Sequence, residues 1–287
     1  MTSIASTYAT HQPRANIAEL PDDMLRTMFN MCSGDLLTQN RIKRTCKEMD
    51  VLHVTNLLDV DPAFIEQYTD ENLQRYDGKS VTKLSLVDNT VVTATGVEHM
   101  LNVAELDVSW NSTATDETVA SMTKLTRLRA LGNDNITDNT LLRNPNLGIL
   151  NIAWNTKITT DVVNNLPNLH TLVATKTKLA KITNPSLKRV FLNFNANISD
   201  DYISSLSGIE ELHLINCSHI TNEAFLNMTR LRILNIRDNT TVTTDILVFP
   251  NLHTLTDVHI GPGNHETFKN KDLVVRDGLE IHTYVSS

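Results

Sequence analysis

The chain has 287 residues, 40 % of them hydrophobic, which suffices for a sizeable core in one or two domains. Its net charge of −8, from 25 Lys plus Arg against 33 Asp plus Glu, argues against a wholesale nucleic-acid or anionic-membrane binder. Cys32, Cys46 and Cys217 form no C-x-x-C pair, so neither a disulfide framework nor a zinc site is indicated, and a reducing compartment fits best.

Residues 1–16 lack the continuous apolar stretch of a secretory signal and read as a disordered tail. No later run approaches the roughly 20 apolar residues of a membrane span. The expected setting is the cytoplasm or nucleus. Six N-x-[ST] sequons, beginning at Asn111, Asn135, Asn197, Asn216, Asn227 and Asn239, read as coincidental on that view.

Residues 17–52 predict a small all-α module. Leu20, Met24, Leu25, Met28 and Phe29 mark a helical apolar face opened by Pro21 and by Asp22 and Asp23. A second helix follows, with Asp35 placed to cap it and Leu36, Leu37, Ile42, Cys46 and Met49 continuing the face. Residues 53–80 read as a packed helical linker and amino-terminal cap, with Asp61 before Pro62 as a helix start and Phe64, Ile65 and Tyr68 behind it. Within it, "YTDENL" reads as a half-repeat leading into the first strand.

From residue 81 to about 260 the chain repeats itself. Taking the fourth position of an L-x-x-L-x-L-x-x-N unit as marker gives Leu84, Leu106, Leu128, Leu150, Leu172, Val190, Leu212, Leu234 and Leu255, with steps of 22, 22, 22, 22, 18, 22, 22 and 21. Five residues after the first eight markers stand Asn89, Asn111, Asn133, Asn155, Thr177, Asn195, Cys217 and Asn239. The marker and the residue two after it should point into a coil from a short strand, and the residues between should face outward. The Asn then has a physical task. Its amide can both donate to and accept from backbone groups stranded in a buried turn, which Thr177 imitates partly and Cys217 weakly. Asp138, Asp161 and Asp245 sit where short return helices would be capped, and Pro145, Pro167, Pro185 and Pro250 each precede the next strand's first apolar residue by two. The return segment after Thr177 is four residues shorter, so extended or single-turn backbone is expected there. Residues 261–287 read as a carboxy-terminal cap, with Gly261, Pro262 and Gly263 turning the chain and "LVVRDGLEIHTYV" forming two strands about Asp277 and Gly278.

The repeat resembles the leucine-rich repeat, over roughly residues 70 to 260. The resemblance implies an α/β solenoid with a parallel β-sheet on its concave face and short helices or turns on its convex face. The front module resembles an F-box, through Leu20-Pro21-Asp22, Met24, Leu25, Met28, Phe29, Asp35-Leu36-Leu37, Arg41 and Cys46-Lys47. It departs from the pattern at Met49, where an aromatic is usual, and in the link from Asp35 to Cys46, which is one residue longer than the pattern. Together the two resemblances imply a substrate receptor of a Skp-cullin-F-box ubiquitin ligase. Leu20, Pro21, Met24, Leu25, Met28, Phe29, Leu36 and Leu37 would then dock the Skp adaptor and, through it, the cullin. The alternative is a leucine-rich-repeat scaffold outside the ubiquitin system whose first helices only cap the solenoid.

A partner-binding face follows from the register. The column just before the ladder residues reads Asp88, Trp110, Gly132, Trp154, Lys176, Phe194, Asn216 and Asp238, and it holds both tryptophans of the chain, two coils or about 10 Å apart. Exposed Trp on a rigid sheet suits a binding hot spot, while Trp folded over a neighbouring coil would be packing alone. Arg127, Arg129, Lys176 and Arg189 make the middle units locally basic, and Phe191 and Phe194 stand beside them. The expected target is an acidic or phosphorylated protein segment with an apolar anchor; solvated charge on a soluble solenoid is the plainer alternative.

No cofactor or metal is expected, and no enzyme motif holds. "GPGNHE" and Asp257-Val258-His259 resemble fragments of a metallophosphatase, but the D-x-H ends at His259 only four positions before the G-N-H-E begins at Gly263, and the G-D-x-x-D between them is missing. No phosphate-cradling Gly loop, G-x-S-x-G or H-E-x-x-H occurs.

Overall fold

The structure, a computed structural model, describes residues 56–57, 68–74, 76–243, 245–246, 257–260 and 280–283. Its strands form one sheet in strict chain order: β1 (Asn56–Leu57), β2 (Lys83–Ser85), β3 (Glu105–Asp107), β4 (Arg127–Arg129), β5 (Ile149–Asn151), β6 (Thr171–Val173), β7 (Arg189–Phe191), β8 (Glu211–His213), β9 (Ile233–Asn235), β10 (Asp257–Ile260) and β11 (Glu280–Thr283). Every neighbouring pair is parallel. A parallel neighbour needs the chain to cross back, so each coil contributes one strand and one return segment.

The marker register holds from β2 to β9. Leu84 pairs with Leu106, Leu106 with Leu128, and so on to Leu212 with Leu234, each at the centre of its strand. These markers are buried, as are the residues two after them, from Leu86 to Ile236, and three before them, from Val81 to Leu231. Three apolar columns therefore run from β2 to β9 as one core. A fully buried Leu, Ile or Val contributes about 1.5–3 kcal/mol, but only when the next coil covers it.

The ends of the sheet add three registers to the expected ones. The ninth marker is Val258, not Leu255, because Val258 pairs with Leu234 and both Val258 and Ile260 are buried. Asp257-Val258-His259 is thus a sheet strand, and its alternation serves the core. Glu280–Thr283, on the second of the two strands expected about Asp277 and Gly278, runs parallel to β10, with Ile281 opposite Val258; the first of those strands lies outside the described residues. The parallel sheet therefore extends into the region expected to be the carboxy-terminal cap. At the other end the linker contains β1, whose Leu57 pairs with Leu84, followed by a helix at Asp70–Leu73. "YTDENL" is the return half of that coil, with Tyr68 and Leu73 buried.

The asparagine ladder is buried throughout. In Asn155 the amide donates to the carbonyls of Asn133 (2.5 Å) and Ile136 (2.9 Å), while its oxygen accepts from Lys157 N and Ile158 N, both at 2.9 Å. Asn89 and Asn111 repeat the pattern, each reaching the previous coil with Nδ2 and its own turn with Oδ1. Burial at Asn111 and Asn239 rules out a glycan there; Asn135, Asn197, Asn216 and Asn227 are exposed, so burial gives no such reason at those four.

The two interruptions are bridged from the next coil. Thr177 Oγ1 donates to Ala174 O, and its backbone N–H finds Asn195 Oδ1 at 2.8 Å. Cys217 Sγ donates weakly to Leu192 O, and its N–H finds Asn239 Oδ1 at 2.6 Å. A short side chain cannot serve its own turn and its neighbour, so the following Asn turns back. Burial pushes the Cys217 thiol above its usual pKa, opposed by hydrogen bonds with the backbone of Asn195 and Phe194, so the reactive thiolate is suppressed.

The return side carries short helices at Ala94–Val97, Asp138–Leu142, Thr160–Asn164 and Asp200–Ser204, and a 3-10 turn at Asn222–Phe225. The shortened coil between β6 and β7 contains no helix, as its length implied. Helix capping falls on hydroxyl residues, not on the expected acids. Thr137 Oγ1 accepts from Asn139 N and Thr243 Oγ1 from Asp245 N, while Thr159, the N-cap residue of Thr160–Asn164, makes no side-chain cap bond. The Asp138 carboxylate instead ties two coils together. Asp138 accepts from Thr159 N (2.8 Å) and Thr159 Oγ1 (2.7 Å) of the following coil. Asp70 with Thr93, Asp116 with Thr137 and Asp200 with Thr221 are the same clamp.

The expected F-box-like module at 17–52, with Leu20, Pro21, Met24, Leu25, Met28, Phe29, Leu36 and Leu37, lies outside the described residues, as do the 1–16 tail and Gly261 to Gly263.

Candidate protein-binding face

The column before the ladder residues is conformationally special. Asn89 N–H bonds back to Leu86 O, and Asn111, Asn133, Asn155 and Asn239 close equivalent four-residue turns. The third residue of each turn has positive φ: Asp88 (55°), Trp110 (55°), Gly132 (64°), Trp154 (61°) and Asp238 (62°), and Lys176 (51°), Phe194 (57°) and Asn216 (54°) continue the column. Their N–H groups are spent on the next coil, as in Trp110 N to Leu131 O at 2.7 Å and Trp154 N to Thr175 O at 2.9 Å. Turns of this kind favour Gly or Asn at the third position, because a Cβ there crowds the backbone. A bulky residue costs on the order of 1 kcal/mol. Trp110, Trp154, Lys176 and Phe194 accept that cost in four of five successive coils.

Local geometry joins these side chains into a ridge. Trp110 is 50 % exposed, Trp154 47 % and Phe194 45 %. The Trp110 and Trp154 rings lie 6.5 Å apart between centroids and 53° tilted, closer than the two-coil separation expected from the sequence. Gly132, in the coil between them, makes this approach feasible, since a Cβ there would overlap the Trp110 ring. Lys176 Nζ then sits 4.0 Å from the Trp154 centroid and 5.7 Å from that of Phe194. Packing and exposure are thus not alternatives: each Trp leans on its neighbour and still shows half its surface.

The expected basic middle is largely neutralised. Glu105 lies 2.9 Å from Lys83 and 3.7 Å from Arg127, and Asp107 is 3.6 Å from Arg129. Acids counted as distant along the chain stand on the adjacent strand, because a step of 22 residues is one inter-strand spacing. Such exposed pairs add little stability but cancel the field of Arg127 and Arg129. Lys176 and Arg189 have no carboxylate partner among the described residues; Arg189 Nε donates to Thr171 Oγ1 at 3.1 Å. Phe191 is not part of the ridge. It stacks on His213, with centroids 4.2 Å apart and planes 17° apart, and His213 is held by Glu211 at 2.9 Å. Burial lowers the His213 pKa, Glu211 opposes that by hydrogen bond and charge, and Arg237 reinforces it.

The column places Trp110, Trp154, Lys176 and Phe194 side by side, and the structure brings their side chains into contact; two further contacts are set by Gly132 and His213. Gly132 was in the column, and a lone Gly between two Trp was the available signal for ring contact. His213 had no signal short of knowing that Phe191 and His213 occupy equivalent positions on β7 and β8.

No protein-family model matches this chain, and no curated protein matches it. Among solved structures it is similar to an internalin C2 (inlC2) from Listeria monocytogenes, at 18 % identity and TM-score 0.50, covering 67 % of this chain and 84 % of that one. An internalin (inlF) from the same organism matches at 16 % identity and TM-score 0.42, over 77 % of this chain and 85 % of that one. Internalins are leucine-rich-repeat proteins, and the likeness to internalin C2 is one of fold: the chain carries a leucine-rich-repeat solenoid.

Proposed function

We propose that the chain is a non-catalytic protein-binding solenoid that engages its partner along the ridge formed by Trp110, Trp154, Lys176 and Phe194. One observation carries this reading: bulky aromatic residues stand half exposed on turn positions where Gly or Asn would be more stable. Large side chains kept half open to solvent at a backbone cost suit contact with a partner. Trp110→Asn combined with Trp154→Asn suits the backbone, so the variant is expected to fold while losing at least tenfold in partner affinity. Retained affinity in the folded double variant would sink the proposal.

A finer reading rests on the motif resemblance of residues 17–52 alone. In it, Leu20, Pro21, Met24, Leu25, Met28, Phe29, Leu36 and Leu37 dock a Skp adaptor and thereby a cullin, in the cytoplasm or nucleus, and the solenoid presents a target for ubiquitination. The scaffold reading stands without this step. Co-purification of the full chain with a Skp adaptor tests it, with Leu20→Ala plus Pro21→Ala as the comparison. Association abolished by that pair supports a ubiquitin-ligase receptor; no association in the wild type leaves the free-standing scaffold.

A further inference from the structure

The spacing of the ridge specifies more than a sticky surface. We propose that its occupant is an extended polypeptide segment, lying along the solenoid, that presents apolar, acidic and apolar side chains at alternate positions: apolar-x-acidic-x-apolar. This rests on the protein-binding reading above and adds the conformation and chemistry of the partner.

Three observations lead there. The two Trp rings meet over Gly132 and form one apolar platform centred on that coil, while Phe194 forms a second. The platforms lie three coils apart, and parallel strands stand about 4.8 Å apart, so the separation is about 14 Å. Four residues of extended chain span about 13 Å, and residues i, i+2 and i+4 face the same side. A helix needs about nine residues for the same distance and would carry the three side chains at i, i+4 and i+8, a spacing that peptide selection separates from i, i+2 and i+4.

Charge decides the middle position. Lys176 Nζ leans back over Trp154, between the platforms, where residue i+2 would project. No carboxylate pairs with it among the described residues, whereas Arg127 and Arg129 are paired on the sheet beside the ridge. The acids of the column, Asp88 and Asp238, stand at its two ends, so the ridge repels anions outside the central coils and accepts one within them. An acidic side chain at i+2 forms a charge-assisted contact with an ammonium already held in place by two rings.

The test uses the full chain and a phage-displayed library of random 12-residue peptides, followed by titration of enriched synthetic peptides. Both tryptophans of the chain lie on the ridge, so intrinsic fluorescence reports occupancy directly. The expected result is enrichment of Asp or Glu flanked at both second neighbours by Leu, Ile, Phe or Trp, with a fluorescence change on binding. Lys176→Glu should weaken such a peptide at least tenfold, and a peptide carrying Lys in place of its acid should recover most of that loss on the Lys176→Glu protein. A folding defect cannot produce that exchange. Enriched peptides without an acid at that spacing, or binding indifferent to Lys176→Glu, overturn the inference. If no peptide is enriched but a folded partner binds and is lost in Trp110→Asn with Trp154→Asn, the extended-segment inference fails and the protein-binding reading survives. Binding untouched by the Trp pair overturns both.

Discussion

Asn155 shows how much one side chain can carry in this architecture. Its four hydrogen bonds serve backbone groups of two coils, and its alanine variant leaves buried N–H and C=O groups unpaired at about 1–3 kcal/mol each. Asn155→Ala is therefore expected to lower the urea midpoint by an amount equivalent to at least about 2 kcal/mol. Thr177→Ala should cost less than half of that, because Asn195 already holds the Thr177 N–H. Equal losses at the two sites would contradict the bridging described for the interrupted ladder. Gly132→Ala tests the other special position. The new Cβ meets both a positive φ and the Trp110 ring, so the variant should lose about 1–2 kcal/mol and shift its tryptophan emission as the rings separate. Fluorescence unchanged from wild type would mean that Gly132 does not set the ridge.

At the level of the return segments, the Asp–Thr clamps do what the short helices cannot do alone. A helix of four or five residues lies far below the length at which an isolated helix is stable, so its geometry is imposed by neighbours. Asp116 is the fullest example, accepting Thr137 N (2.9 Å), Thr137 Oγ1 (2.5 Å) and Thr140 Oγ1 (2.5 Å). Desolvation pushes its pKa up, but the hydrogen bonds from Thr137, Thr140 and Asn139 outweigh it and hold the carboxyl below its ordinary value. The sign follows from linkage: a carboxylate with a depressed folded pKa stabilises fully above its unfolded value, and that share is lost as pH falls through the folded one. Asp116→Ala should thus be less stable than wild type by a constant margin near neutral pH. The margin should narrow below about pH 4. A margin that widened on acidification, measured by urea titration at several pH values, would reverse the assignment.

For the whole molecule, the repeat makes stability a sum over coils and their interfaces. Excising residues 127–148 joins Thr126 to Ile149 and moves β5 into the place of β4 with no change of register, Leu150 then standing opposite Leu106. That deletion should keep far-UV circular dichroism of the same shape and a cooperative urea transition, with a smaller slope because less surface is exposed on unfolding. Excising residues 127–137 instead puts apolar and outward positions out of step, and the product should not fold cooperatively. Survival of the half-unit deletion would show that coil register does not govern this fold.

The sequence by itself determined everything that depends on periodicity. Marker, inward partner and Asn recur at a fixed step, and a core that each coil can only share with its neighbours leaves one arrangement, so the register of β2 to β9 and the inward columns were legible. Tertiary structure alone decided what depends on juxtaposition across coils. Leu255 yielded to Val258 because pairing with Leu234, not spacing, sets a strand's register. Arg127 and Arg129 lost their free charge to acids 22 residues away, and Asp138 became a clamp on Thr159 instead of a cap. Trp110 reached Trp154 only because Gly132 left room, a contact that no single repeat contains. In a solenoid the chain dictates each turn, and the stacking of turns dictates which side chains meet.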